Sequence, residues 1–185
     1  MPEAKLEDTG SGLAPAGDGW FVLNVRDAMW LSSAGGRLRP SGAECSFEGP
    51  NAEFAELGIR LHVLEPGEPN GLYHGESKQE DFLVLQGECV LIVDGEERRL
   101  GAWDFLHSPP WTEHIFVGAG DGPCVILMVG SREGDWRVRY PVNEVAARHD
   151  ASAARETTSP QEAYVGTFEP SRRERPAFWD ALPWA

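Results

Sequence analysis

The sequence predicts an all-β protein, an antiparallel barrel or jelly roll of the double-stranded β-helix kind. Three observations lead there. Short apolar segments recur from residue 58 to residue 131 with turn residues at every gap, which is the rhythm of a closed antiparallel architecture. The chain carries 21 Gly and 14 Pro, a supply of turn residues that suits many short strands better than helices. DFLVLQG (81–87) and ECVLIVDG (88–95) are apolar at successive positions, not only at alternate ones. Such strands are expected where both faces of a sheet are covered.

The elements follow in order. Residues 1–19, rich in Gly, Ala, Pro and acid, read as mobile. WFVLNV (20–25) is a strand candidate, LSSAGGRLRPSGA (31–43) a loop, and CSFEG (45–49) a short strand. GIRLHVLEPG (58–67) is a strand stopped by Pro-Gly. Asp94-Gly95 between two apolar runs is a hairpin turn, because both positions of a tight turn need positive φ. AWDFLHSPP (102–110), EHIFVG (113–118) and CVILMVGS (124–131) continue the strands. NEVAARHD (143–150) is a short helix candidate, and residues 150–160 are polar. One barrel over 20–140 is expected, followed by a helix, a linker and a tail over 141–185. The tail holds Phe168, Phe178, Trp179 and Trp184, and so many aromatics are expected to dock on the barrel or on a second subunit.

A formal net charge of -14 argues against nucleic acid and against anionic membranes, since both require basic surface. Cys45, Cys89 and Cys124 are odd in number, form no CxxC and sit in or beside apolar runs, as buried free thiols do. No apolar signal segment opens the chain and no stretch reaches the roughly 20 apolar residues of a span. A cytoplasmic protein is expected. A homodimer, paired through the segment near residues 20–25 or through the C-terminal tail, is expected from strand edges and exposed aromatics.

HGESKQEDFLVLQG (74–87) carries the chemistry. His74, Glu76 and Glu80 lie on one loop-to-strand segment, and His114 follows forty residues later, past a hairpin. An antiparallel barrel can bring these segments side by side. Two imidazoles with one or two carboxylates suit a divalent first-row ion such as Zn, Mn, Fe or Ni.

From Pro66 to about Gly130 the chain resembles a small single-domain cupin. The first motif of that family is matched by Gly67, His74-Gly75-Glu76, Ser77-Lys78-Gln79, Glu80 and then Gly87 six residues on. The second is matched by Trp103-Asp104, Pro109-Pro110-Trp111, Thr112-Glu113 and His114. The resemblance implies that His74, Glu80 and His114 take the metal-ligand positions. Departures are specific: Glu76 stands where a second His is usual, Gly67 lies one residue too far away, Trp103 and Trp111 replace motif glycines, and Gly118 replaces a final Asn. Three roles are open for Glu76: direct ligand, neighbour of the ligands and proton-transfer group, or relic of a site without metal.

His62, Tyr73, Phe105, His107, Trp111 and Phe116 are candidates to line the pocket, against the plainer reading of strand histidines and core aromatics. In SREGDWRVRY (131–140) one arginine could reach the barrel rim. The resemblance implies a small-molecule ligand and permits dioxygenase, isomerase, epimerase or decarboxylase chemistry. A non-catalytic ligand-binding or sensor module is the alternative, and fold alone does not choose between them.

Overall fold

The computed structural model describes residues 1–33, 42–166 and 172–185. A small hairpin, β1 (Leu6–Asp8) and β2 (Leu13–Pro15), precedes β3 (Met29–Ser33), β4 (Gly42–Ser46) and β5 (Leu57–Leu64). Then come β6 (Gly75–Glu76), β7 (Glu80–Gln86), β8 (Glu88–Val93), β9 (Glu96–Gly101) and β10 (Phe105–Ser108). The series ends with β11 (His114–Ala119), β12 (Cys124–Ser131), β13 (Val138–Arg139) and the short helices α1 (Glu144–Ala147) and α2 (Pro160–Ala163). Six strands form one sheet in the order β10-β7-β12-β5-β4-β3, and β11-β8-β9 form the facing one. Every strand-to-strand pairing in these two sheets is antiparallel.

Strand alternation sorts the core into layers. Leu64, Phe82, Val84, Cys89, Leu91, Phe116, Cys124 and Ile126 point between the two sheets and form the barrel interior. The alternate residues of the same strands point outward and are also buried. Leu61, Val63 and Val125 pack with Ala43, Cys45 and Trp30 on one side. Ile92, Ile115 and Val117 pack with Tyr73, Ala146 and Ala151 on the other. Both faces are therefore covered, which is why β7, β8, β11 and β12 are apolar at successive positions. All three cysteines are buried free thiols.

Turn chemistry closes the strands. Asp94 and Gly95 have φ of 48° and 78°, the left-handed pair that a two-residue hairpin needs. Gly87 links β7 to β8 with φ of 74°, and a Cβ there would lie 2.5 Å from the Pro123 carbonyl oxygen. Asn143 caps α1 through its side-chain oxygen, which accepts from the Val145 and Ala146 amides.

The ends of the chain depart from the sequence reading. WFVLNV is not a strand: Trp20 makes only an isolated bridge to Glu3. Leu23 and Val25 instead pack from the side against the outer core, and the Val25 carbonyl accepts from the Trp30 indole at 3.1 Å. Of the expected loop 31–43, residues 31–33 belong to β3 and 42–43 to β4; the rest lies outside the described residues. Residues 1–19, expected to be mobile, carry the β1–β2 hairpin and bury Ala4 and Ala14.

The tail docks on its own barrel. Trp184 stacks on Trp30 with ring centroids 5.5 Å apart, and Trp179 meets Trp30 edge-on at 5.4 Å. Phe178 joins the same cluster, while Phe168 lies outside the described residues. Arg172 exchanges backbone hydrogen bonds with Ser32, covering the β3 edge. No helix among the described residues is long and apolar enough to cross a membrane.

Candidate functional site

The site is assembled by one backbone pairing. His74, just before β6, and His114, the first residue of β11, form an antiparallel bridge. The His114 amide donates to the His74 carbonyl at 2.8 Å, and the His74 amide to the His114 carbonyl at 3.2 Å. Directly opposed residues project on the same face, so the rings stand 5.3 Å apart by centroid. His74 Nδ1 lies 2.7 Å from the Leu72 carbonyl oxygen, and His114 Nδ1 lies 3.0 Å from that of Thr112. A carbonyl only accepts, so each Nδ1 carries the proton and each Nε2 keeps a free lone pair. A hydrogen bond on one ring nitrogen is the usual device for orienting a metal-binding imidazole.

Glu80 opens β7 and supplies the third donor. Its Oε2 is 3.7 Å from His114 Nε2. One donor atom each from His74, Glu80 and His114 lie within 4.8 Å of one another. Donors each about 2.1 Å from a common ion are separated by roughly 3–4 Å, a spacing close to that of this group. Burial, then the nearby Glu76 carboxylate, pushes Glu80 up to about 8. Burial, then His74, pushes His114 down to about 4 against an opposing hydrogen bond to Thr112. Both shifts favour the uncharged form of the group concerned.

Glu76 stands beside this group and is not a member of it. Its Oε1 lies 3.7 Å from His74 Nε2, while its Oε2 accepts from the Trp136 indole at 2.6 Å.

The donors open into a cavity of about 450 Å³. Its floor follows from register. Glu80 on β7 is opposed by Gly130 on β12, which is opposed by Gly58 on β5. Two glycines in one row leave a strip of sheet without side chains. Arg132 lies along it, its Nε 3.4 Å from where a Gly58 Cβ would be. The Arg132 guanidinium is clamped by Glu48 in two parallel bonds of 2.6 and 2.8 Å, and Nη1 also donates to the Phe54 carbonyl at 2.7 Å. Arg60 also faces the cavity and pairs with Glu44 at 3.2 Å. Burial pushes the Glu44 carboxyl up, but His62 and then Arg60 outweigh it and hold it below its ordinary value.

The other sequence candidates are spread over the molecule. His62 lines the cavity and lies 3.4 Å from Glu44. Tyr73 does not line it: the ring is buried in the outer core, and its hydroxyl accepts from the Gly95 amide. Phe116 is buried in the barrel interior, packed on Phe82 beneath His114. Phe105 is exposed on β10. His107, also on β10, turns outward to pair with Asp81 at 2.7 Å. These two fall outside the cavity because register sets them opposite Leu83 and Asp81, on the face turned away from Phe82 and the barrel interior. Trp111 lies outside too, under the guanidinium groups of Arg137 and Arg139.

Sequence reading missed Arg60, Asn70, Tyr140 and Tyr164, all of which line the cavity. Arg60 was accessible in principle, since Gly58, Arg60 and His62 share one face of β5 by strand alternation. Tyr164 comes from the segment just after α2, where its hydroxyl accepts from the Leu72 amide at 3.1 Å. Nothing in the local sequence marks that return to the barrel.

Residues 60–130 match the model of the cupin domain family. With the barrel and its neighbours, the match identifies residues 60–130 as a cupin domain. A sugar phosphate isomerase from a cupin superfamily, of Silicibacter pomeroyi, is 26% identical with a TM-score of 0.55, covering 65% of this chain and 81% of that one. A polyketide cyclase from Streptomyces resistomycificus is 14% identical with a TM-score of 0.53, covering 62% and 81%, and shares the fold. An Acidithiobacillus ferrooxidans protein is 25% identical with a TM-score of 0.49, covering 54% of this chain, and this chain spans 64% of its length.

Proposed function

We propose that this cupin is a divalent-metal-dependent enzyme that acts on a small anionic molecule inside the barrel, with isomerase-type proton transfer as its chemistry. The observation that carries the reading is the convergence of one donor atom each from His74, His114 and Glu80 at the wall of a cavity. A bound ion supplies Lewis acidity toward a substrate oxygen. The residues of the chain do the rest. His74 and His114 present oriented lone pairs, and Glu80 balances charge. Glu76, held by Trp136 but not needed as a donor, is the group placed to carry a proton. Arg60 and Arg132, each fixed by a carboxylate, offer their remaining N–H groups to a substrate anion. The similarity to a sugar phosphate isomerase supports the reaction class and the anionic substrate. The metal is one of Zn, Mn, Fe or Ni by donor type.

Elemental analysis after metal-replete purification tests the first half, with about one equivalent expected per chain and none in His114→Ala. Incubating the loaded protein in D2O with aldoses, ketoses and their phosphates tests the second. Deuterium entering a substrate carbon supports the enzyme. Absence of stoichiometric metal defeats the reading. Metal and ligand binding without exchange or conversion leaves the non-catalytic binding module instead.

A further inference from the structure

A second recess of about 740 Å³ lies outside the barrel cavity, lined by Trp111, Trp136, Arg137, Val138, Arg139 and Thr158. Strand pairing builds it. β13 pairs with β6, setting Val138 opposite Glu76, and Arg137 and Ser77 exchange hydrogen bonds beside them. This carries Trp136 and Arg137 to the flank of Trp111.

Both tryptophans are tied to Glu76. The Trp111 amide donates to its backbone carbonyl at 2.6 Å, and the Trp136 indole to its carboxylate at 2.6 Å. Trp111 has φ of 71°, a left-handed conformation that is unfavourable for a bulky residue. Such a conformation persists only where the surroundings enforce it. The indole held in this way is 38% exposed.

Two cations face the Trp111 ring, each 5.7 Å from its centroid. Arg139 is occupied by Glu113 at 2.8 Å. Arg137 has no carboxylate partner among the described residues, in a protein of net charge -14. A recess with two indole faces and one uncommitted guanidinium matches a flat ring bearing an acid. The ring stacks on indole, and a carboxylate meets a guanidinium through two parallel N–H bonds. We infer that this recess is a second binding site, for a small aromatic carboxylate, with its acid on Arg137 and its ring against Trp111 and Trp136. Trp136 also lines the barrel cavity, so the two sites share a wall. The inference does not depend on the metal reading.

The probe is benzoate, titrated into the ¹⁵N-labelled full chain while the indole N–H signals are followed. Trp136→Phe identifies the Trp136 signal and Trp111→Phe that of Trp111. Benzoate should shift both saturably at millimolar concentration. Benzamide, which lacks the charge, should bind about tenfold more weakly. Arg137→Gln should weaken benzoate by a similar factor, with the buried Trp30 signal unmoved as proof of intact fold. Chelator-treated and Zn²⁺-loaded protein should give the same shifts. The inference is overturned by the absence of a saturable shift at both indoles. Equal binding of benzamide, or affinity unchanged in Arg137→Gln, overturns it as well. Shifts confined to the metal-loaded protein would place benzoate in the barrel cavity and likewise overturn it.

Discussion

His74 and His114 exchange both backbone hydrogen bonds across the barrel, and each Nδ1 donates to the carbonyl two residues before it. The same local geometry at both histidines leaves each Nε2 unengaged by backbone, and one donor atom of each ring lies within 4.8 Å of the other and of a Glu80 oxygen. Removing either ring therefore removes a donor without disturbing the pairing. His74→Ala and His114→Ala should each lower metal affinity by a hundredfold or more. Glu76→Gln should keep about one equivalent, because Glu76 lies outside the three-donor group, with affinity lowered about tenfold at most. Equilibrium dialysis with elemental analysis reads both outcomes.

Metal uptake should release a proton at neutral pH. Glu80, pushed up to about 8, is protonated in the metal-free protein at pH 7 and must ionise to ligate. Calorimetric titration in buffers of different ionisation enthalpy should report close to one proton released at pH 7. The number should fall toward zero above pH 8 and in Glu80→Gln, whose metal binding is itself impaired.

The metal-free fold should weaken from about pH 6.5 to pH 8. Glu80 has a raised folded pKa, so its contribution is fully present below 4.5 and is lost as pH rises through about 8. His114 has a lowered folded pKa, so its contribution is present above 6.5 and is lost as pH falls through about 4. Between 4.5 and 6.5 the two slopes oppose. Above 6.5 only the Glu80 loss remains, on the order of 2 kcal/mol up to pH 8. Thermal melts of chelator-treated protein should show this decline, and Glu80→Gln should abolish it.

Gly130→Val should empty the cavity of ligand but not of metal. Gly130 has an ordinary φ, and an added Cβ would meet only Glu80 Cγ, at 3.9 Å. The branched side chain fills the strip between Glu80 and Gly58. Substrate affinity should fall at least about tenfold while metal stoichiometry stays near one, measured by calorimetry and elemental analysis together.

Trp30→Ala should destabilise the fold by about 3–5 kcal/mol. The side chain is fully buried, stacked on Trp184 and met edge-on by Trp179. Because the tail loses its anchor, limited proteolysis should cut the C-terminal segment of the variant well before the wild type, and urea melts should give the energy.

Much of the barrel was legible in the chain. β7, β8, β11 and β12 are apolar at successive positions because each is packed on both faces, and Asp94-Gly95 marks its own turn. WFVLNV misled because an apolar run has the same composition whether its amides pair with a strand or its side chains only fill a gap. Phe105 and His107 alternate correctly along β10, but which of its two faces turns inward is set by pairing with β7, where Leu106 and not its neighbours opposes interior Phe82.

By itself the sequence determined the strands, their turns and the spacing of His74, Glu80 and His114, because periodicity and φ preference are local. Tertiary structure decided the place of Glu76. Its carboxylate is drawn to Trp136 and its carbonyl to the Trp111 amide, and both partners arrive through pairings with distant chain. It also decided that Arg60, Arg132, Tyr140 and Tyr164 share a cavity with the histidines, since register and the return of the C-terminal segment set which side chains meet.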